Sequence, residues 1–356
     1  MYCIIMAGGT GKRFWPRSRQ IRAKQFLSIF QKKSLIQQTV SRFNPLMDHN
    51  HFFIVTNRDQ RDILEKQVDK IPKDHFLYEP IGKNTAPCIG LAALEISRID
   101  PEGVMVISPA DHQVKQLAKF YAAINAAVKV AREKSGLVAI GIEPVRPATG
   151  YGYIQTDEAM GVHDGVEIYK VKTFAEKPNL ETAKRFLESG DFLWNSGLFV
   201  MRADAYLNAV EEFLPELHDG LMEVRETMGT DQYEPTLQRV YQQIKSISVD
   251  YGVMEKASNV YTVKGQFKWN DLGSWEQVYK SSPKDENNNA ISGDVCVVDT
   301  ENSYIHSSSG VVGVIGLNNV IVVQEKDAVL VCPMDRAEDV KLLVEKMKRQ
   351  KLEKYL

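Results

Sequence analysis

Four short apolar runs, YCIIM, HFFIVTN, GVMVISPAD and LVAIGI, are separated by segments of helical period over the first 142 residues. A continuous apolar run of this length reads as a strand buried on both faces, the pattern of a parallel sheet. Between the runs, KSLIQQTVSRF places Leu35, Ile36, Thr39, Val40 and Phe43 at helical spacing. RDQRDILEKQV, NTAPCIGLAALEISRI and KQLAKFYAAINAAVKVAREK read as further helices. Strand alternating with helix predicts an α/β fold, with an open, mostly parallel sheet flanked by helices and right-handed crossovers.

The pattern then loosens. TGYGYIQT and IYKVKTFAEKP read as extended segments crossing a cleft. NLETAKRFLESG is a helix with Asn179 as N-cap and Gly190 as its stop. Residues 203–245 are mostly helical in pattern. The polar, turn-rich SPKDENNN marks a boundary, giving a main domain over 1–281 and a small segment over 290–356. That segment holds the short β-rich runs GDVCVVDT, GVVGVIGL, NVIVVQEK and AVLVCP, and then a basic helix.

A formal net charge of −2 argues against a nucleic-acid or membrane-surface binder, so any anion site must be a local concentration of bases. Cys3, Cys88, Cys296 and Cys332 form no C-x-x-C pair and read as reduced core cysteines. The N-terminus has no charged leader region, and no run approaches the ~18 apolar residues of a membrane span. A cytoplasmic location is the expectation.

The strongest local signal is IIMAGGTGKRFWPRSRQIRAKQF, an apolar run, a glycine cluster and then Lys12, Arg13, Arg17, Arg19, Arg22 and Lys24. A P-loop is excluded by Met6 and Arg13, and the dinucleotide fingerprint by Phe14. Glycines still allow backbone N–H groups to approach an anion, and Arg and Lys bind phosphate oxygens. A tight turn followed by a solvated basic loop is the alternative.

This stretch resembles the signature of the sugar-phosphate nucleotidyltransferases, and specifically of the mannose-1-phosphate guanylyltransferases, approximately A-G-G-x-G-x-R-L-W-P-L-S-R followed by P-K-Q-F. Phe14, Arg17 and Ala23 depart from that pattern without removing a charge. The resemblance continues through EPIGKNTAP, SPADH, PATGYGYI, FAEKP, WNSGLF, SVDYGVMEK and WNDLGSW, in family order over nearly the whole chain. It implies a Rossmann-like sheet of the nucleotide-diphospho-sugar transferase type with a short C-terminal β-helix-like segment. The implied reaction is transfer of GMP from GTP to α-D-mannose 1-phosphate, giving GDP-mannose and pyrophosphate with Mg²⁺.

Carried onto this chain, the resemblance makes Asp111 and Asp271 the Mg²⁺ ligands. Two carboxylates suit an ion that keeps phosphates and water as its other ligands. Arg13 and Lys24 are the candidates for the triphosphate, and Lys12, Arg17, Arg19 and Arg22 are expected to be loop charges. Ala7, Gly8, Gly9 and Gly11 would cradle the nucleotide. Glu79, Asn84 and Thr85 offer acceptors matching the guanine edge, although Asn84 with Thr85 reads equally well as a helix cap. Lys83 stands where Arg is frequent in relatives. Gly150, Glu176, Lys177, Asn195 and Asp250 are the candidates for the sugar phosphate. His112 is expected to be structural, since Mg²⁺ prefers oxygen, and Trp194, Trp269 and Trp275 to be packing groups.

Partners implied are the small molecules of the reaction, with no nucleic acid and no membrane; a homodimer stays open. Residues after 290 lack a His/Glu metal cluster, so no isomerase activity is expected of them. Two other functional readings also stay open. One keeps the chemistry with another sugar or base, and the other is a catalytically silent regulatory subunit that binds a nucleotide sugar.

Overall fold

The computed structural model describes every residue except position 10. β1 (Tyr2–Met6) is the apolar run that precedes the glycines. It pairs in parallel with β2 (Phe52–Asn57) on one side and β4 (Val104–Pro109) on the other. β3 (Phe76–Glu79) extends this parallel block beyond β2. The connections are helical: α1 (Leu35–Phe43), α2 (Arg61–Gln67), α3 (Thr85–Ile99) and α4 (Leu117–Lys134). Ser34 and Gln37 start α1 with a reciprocal capping box.

Beyond β4 lie β5 (Gln113–Lys115), β6 (Leu137–Ile142), β7 (Tyr153–His163), β8 (Val166–Ala175), α5 (Leu180–Ser189) and β9 (Phe192–Arg202). The helices α6 (Ala203–Phe213), α7 (Pro215–Thr227) and α8 (Tyr233–Gln243) precede β10 (Val260–Gly265), β11 (Lys268–Asn270) and α9 (Trp275–Ser281). The main sheet runs β3-β2-β1-β4-β9-β6-β10-β8-β7. β9 lies antiparallel between β4 and β6, and β10 restores a parallel pairing with β6. The two segments expected to cross a cleft are β7 and β8, an antiparallel pair at the sheet edge. Side chains alternate across β1, so Cys3 and Ile5 join α1, α2 and α4 in one core. Ile4 joins α3, α6, α7 and α8 in the other.

The C-terminal segment is a small parallel coil. β12 (Ala290–Ser292), β14 (Tyr304–Ser307) and β16 (Val320–Glu325) stack in parallel, and β17 (Ala328–Pro333) closes that sheet antiparallel to β16. β13 (Val295–Val298) and β15 (Val312–Ile315) form a second parallel pair, and α10 (Val340–Arg349) follows. Cys3 and Cys88 are buried as expected, but Cys296 is exposed and Cys332 half-buried. The outward positions of these short strands are themselves apolar, so an apolar neighbourhood in sequence did not mean a core position.

A third core joins this segment to the N-terminal loop. Phe14, Trp15, Leu27 and Trp275 pack with Tyr304, Ile321, Leu330, Val340 and Val344. The fully buried Trp275 stacks on Tyr304, with centroids 5.4 Å apart, and its indole N–H donates to the Trp15 carbonyl at 3.1 Å. The Trp15 indole in turn donates to the Tyr355 carbonyl at 2.8 Å. Arg17 pairs with Glu325 at 3.1 Å and Arg19 with Asp327 at 2.7 Å. Arg19 also donates to the Tyr355 carbonyl. These two bases, expected to be loop charges, are clamps on the C-terminal segment.

Replacing Trp275 with Ala empties the centre of this shared core. The expected cost is about 3–5 kcal/mol of unfolding free energy, read from denaturant titration. A loss below ~1 kcal/mol would mean that the two parts do not rely on this contact.

Candidate active site

The glycine loop leaves the carboxyl end of β1, the edge at which open α/β sheets bind ligands. Thr10 lies outside the described residues. The loop carbonyls are committed to the protein body: the Gln25 amide donates to the Ala7 and Gly9 carbonyls, and the Asn57 amide to the Gly8 carbonyl at 2.9 Å. Among the described residues nothing accepts a hydrogen bond from the amides of Gly8, Gly9 or Gly11. The negative ends of these peptides are therefore tied down and the donor ends left for an anion. Gln25 stood unremarked inside the KQF motif, and Asn57 carried no sequence signal at all. Gly11 has φ +62°, and a Cβ there would lie 2.5 Å from the Lys24 Cβ, so no other residue lets these two segments approach.

Gly11, Arg13, Lys24, Asp111 and Asp271 line one cavity of about 450 Å³. Asp111 follows the end of β4. Asp271 follows β11, which pairs antiparallel with β5, so this ribbon returns it to Asp111. Lys24 joins them: its Nζ is 2.8 Å from Asp111 Oδ2 and 2.6 Å from the Asp271 carbonyl oxygen. Burial acts to raise the Asp111 carboxyl, but the Lys24 ammonium, helped by His112, holds it below its ordinary value. The Tyr151 hydroxyl donates to Asp271 Oδ1 at 2.9 Å, a contact the sequence did not reveal. His112 also lines the cavity, but its Nδ1 accepts from the Trp269 indole at 3.2 Å, as a structural histidine would. Two carboxylates on one cavity are an oxygen donor set of the kind a hard cation takes alongside phosphates and water. Among the described residues no three His, Cys, Asp or Glu side chains group as a fuller metal site. Arg13 pairs with Glu338 of the C-terminal segment at 2.6 Å.

Four of the sugar candidates form a second cluster. Asn195 Nδ2 donates to Asp250 Oδ1 at 2.7 Å, and the Asn195 amide donates to the Gly152 carbonyl at 2.8 Å. Lys177 pairs with Glu176. A Cβ on Gly152 would fall 2.4 Å from Glu176 Oε2, so this glycine makes room for the carboxylate. Burial, and then the nearby Glu176 charge, push the Asp250 carboxyl up to about 6. Gly150 lies beside Tyr151, and a Cβ there would meet nothing within 4 Å.

The base-loop candidates divide. Glu79 is 3% exposed, its Oε1 has no hydrogen-bond partner, and its Oε2 lies 3.5 Å from a Cβ position on Gly8. Asn84 and Thr85 are committed to structure. Asn84, at φ 70°, accepts from the Thr85 amide at 2.8 Å, and the Thr85 hydroxyl accepts from the Val249 amide at 2.8 Å. The cap reading of this pair therefore describes their contacts, and Thr85 ties the start of α3 to the residue before Asp250.

The family model for nucleotidyl transferases matches residues 2–288, and one for a mannose-phosphate isomerase/GMP-like β-helix domain matches 293–347. A mannose-1-phosphate guanylyltransferase from Klebsiella pneumoniae is 38% identical over 99% of this chain and 75% of its own length. One from Escherichia coli is 38% identical over the same shares. A solved structure from Thermus thermophilus, described as a mannose-1-phosphate geranyltransferase, is 32% identical. It covers 98% of this chain and 99% of its own with a TM-score of 0.88.

The orphaned Glu79 gives a pH signature. Burial pushes its carboxyl from the ordinary 4.5 up to about 8, against a smaller downward pull from Tyr241. Below 4.5 both folded and unfolded chains hold the proton. As pH rises towards 8 only the unfolded chain releases it readily, so Glu79 lowers stability across that window. Glu79→Gln is expected to remove this fall, measured as unfolding free energy against pH. Parallel profiles for variant and wild type would contradict it.

Proposed function

The chain belongs to the nucleotidyl transferase family, and from that membership we propose that it moves GMP from GTP onto the phosphate of α-D-mannose 1-phosphate, releasing pyrophosphate and forming GDP-mannose. The names of its relatives, which match 99% of this chain and 75% of their own length, support the sugar phosphate and the nucleotide. The observation that carries the reading is the assembly of Asp111, Lys24 and Asp271 on the same cavity as Gly11 and Arg13.

The nucleophile is an oxygen of the sugar phosphate, largely ionised at neutral pH because its second pKa is ~6. It needs neither a general base nor a covalent intermediate. The oxygen attacks the α-phosphorus, its bond to phosphorus forms, and the bond to the β-phosphate bridge breaks with the electron pair leaving on pyrophosphate. The protein therefore contributes positioning and charge neutralisation. Asp111 and Asp271 would hold Mg²⁺, which would supply positive charge to neutralise the reacting phosphates. Lys24 and Arg13 meet triphosphate oxygens, and the free amides of Gly8, Gly9 and Gly11 donate to them. Glu79 accepts from the N1–H and exocyclic amine of guanine, which supply partners for its orphaned oxygen. Glu176, Lys177, Asn195 and Asp250 hold the mannose phosphate.

Pyrophosphate exchange over a panel of GDP-, UDP- and dTDP-sugars tests this. GDP-mannose is expected to exchange best, with activity lost to a chelator and restored by Mg²⁺. Exchange confined to UDP- or dTDP-sugars would sink the guanylyl assignment. Asp111→Asn and Asp271→Asn are each expected to lower turnover at least about 100-fold while circular dichroism stays that of the folded chain. Nucleotide-sugar binding by wild-type protein that never releases pyrophosphate would favour a silent regulatory subunit.

A further inference from the structure

We propose that Lys341, on the terminal helix α10, is a phosphate-binding residue of this site and receives the β- and γ-phosphates of the nucleoside triphosphate, an inference that rests on the guanylyl-transfer reading above. One wall of the 450 Å³ cavity belongs to α10, through Lys341 and Glu345. The helix is held by Val340, Val344 and Met347, a stripe at helical spacing buried in the core that contains Phe14 and Trp15. Lys341 and Glu345 each follow a stripe residue by one position. They therefore share the flank beside the stripe, one turn apart. The packing that anchors α10 thus also delivers a base to a cavity whose other walls come from the main domain.

The charges of the cavity show why that base matters. Lys24 is committed to Asp111 and to the Asp271 carbonyl. Arg13 is engaged by Glu338. Among the described residues Lys341 makes no ion pair, not even with Glu345 on its own flank, and neither does Lys12, which also lines the cavity. A departing pyrophosphate accumulates negative charge and needs cations that are not already neutralised. Lysine suits that need, because a compact ammonium with three rotatable donors can follow a leaving group as it moves. The C-terminal segment is on this account part of the site.

The test uses the full chain with Lys341→Gln and Lys341→Arg. GTP is titrated in the forward direction and inorganic pyrophosphate in the reverse direction. For Lys341→Gln the KM of both is expected to rise at least about tenfold. The KM of mannose 1-phosphate and of GDP-mannose, which lack the β,γ-diphosphate, is expected to stay unchanged. Lys341→Arg restores most of the loss. An unchanged KM for pyrophosphate would overturn the proposal, and so would an equal rise for all four ligands, which would make α10 a scaffold only. Wild-type protein that never transfers GMP would sink the reaction assigned above, but calorimetric titration of inorganic pyrophosphate into wild type and Lys341→Gln still decides this site. Equal affinities there would overturn it.

Discussion

The ammonium of Lys24 is the point on which the site depends. A buried cation is tolerated only when it is paired and hydrogen-bonded. The Lys24 side chain, 7% exposed, meets that condition with the Asp111 carboxylate, the Asp271 carbonyl and the Phe14 ring 5.3 Å away. These partners come from the end of β4, the loop after β11 and the glycine loop. One ammonium therefore holds three distant segments around one cavity. It also offsets charge that would otherwise set two carboxylates against each other. The glycine at position 11 follows from the same contact, because the backbone carrying Lys24 runs against it.

The loop between Gly11 and Lys24 faces two ways. Inward, it presents Arg13 and Lys24 to the cavity. Outward, Trp15, Arg17 and Arg19 grip the C-terminal coil and the chain end. The parallel coil would be too small to stabilise itself alone, and much of its buried surface is shared with Phe14, Trp15 and Trp275. Stability of the coil and the position of the glycine loop are thus one packing problem, with Arg13 and Glu338 paired across the boundary.

Much of the fold was legible in sequence because buried parallel strands have to be continuously apolar. β1, β2, β4 and β6 announced themselves in that way, and α1 and α4 by their periodicity. β3 is four residues long and did not stand out. β9 was noticed only as a motif, since WNSGLF carries polar residues through a strand that leaves the sheet centre for the site. Chemistry that demands particular residue types singled out Asp111, Asp271, Lys24 and Glu176 in the sequence, and the first three meet on one cavity. The side-chain contacts of Asn84 and Thr85 are those of the start of α3. Gln25, Asn57 and Tyr151 were missed, because a side chain that orients another group needs only to reach it.

The sequence by itself determined the α/β alternation, the glycine turn after β1, and a set of carboxylates and bases with a recognisable order. Those features are local, or are preserved as spacing along the chain, and so can be read from it. Which bases face the cavity and which clamp the C-terminal segment was decided only by tertiary structure. Residue type does not separate Arg13, Arg17, Arg19 and Lys24, and only the family resemblance set Arg13 and Lys24 apart. They are told apart by what lies opposite them: Glu338, Glu325, Asp327 and Asp111, each remote in sequence. Long-range pairing of this kind leaves no period or motif, because it is fixed by how the chain closes on itself.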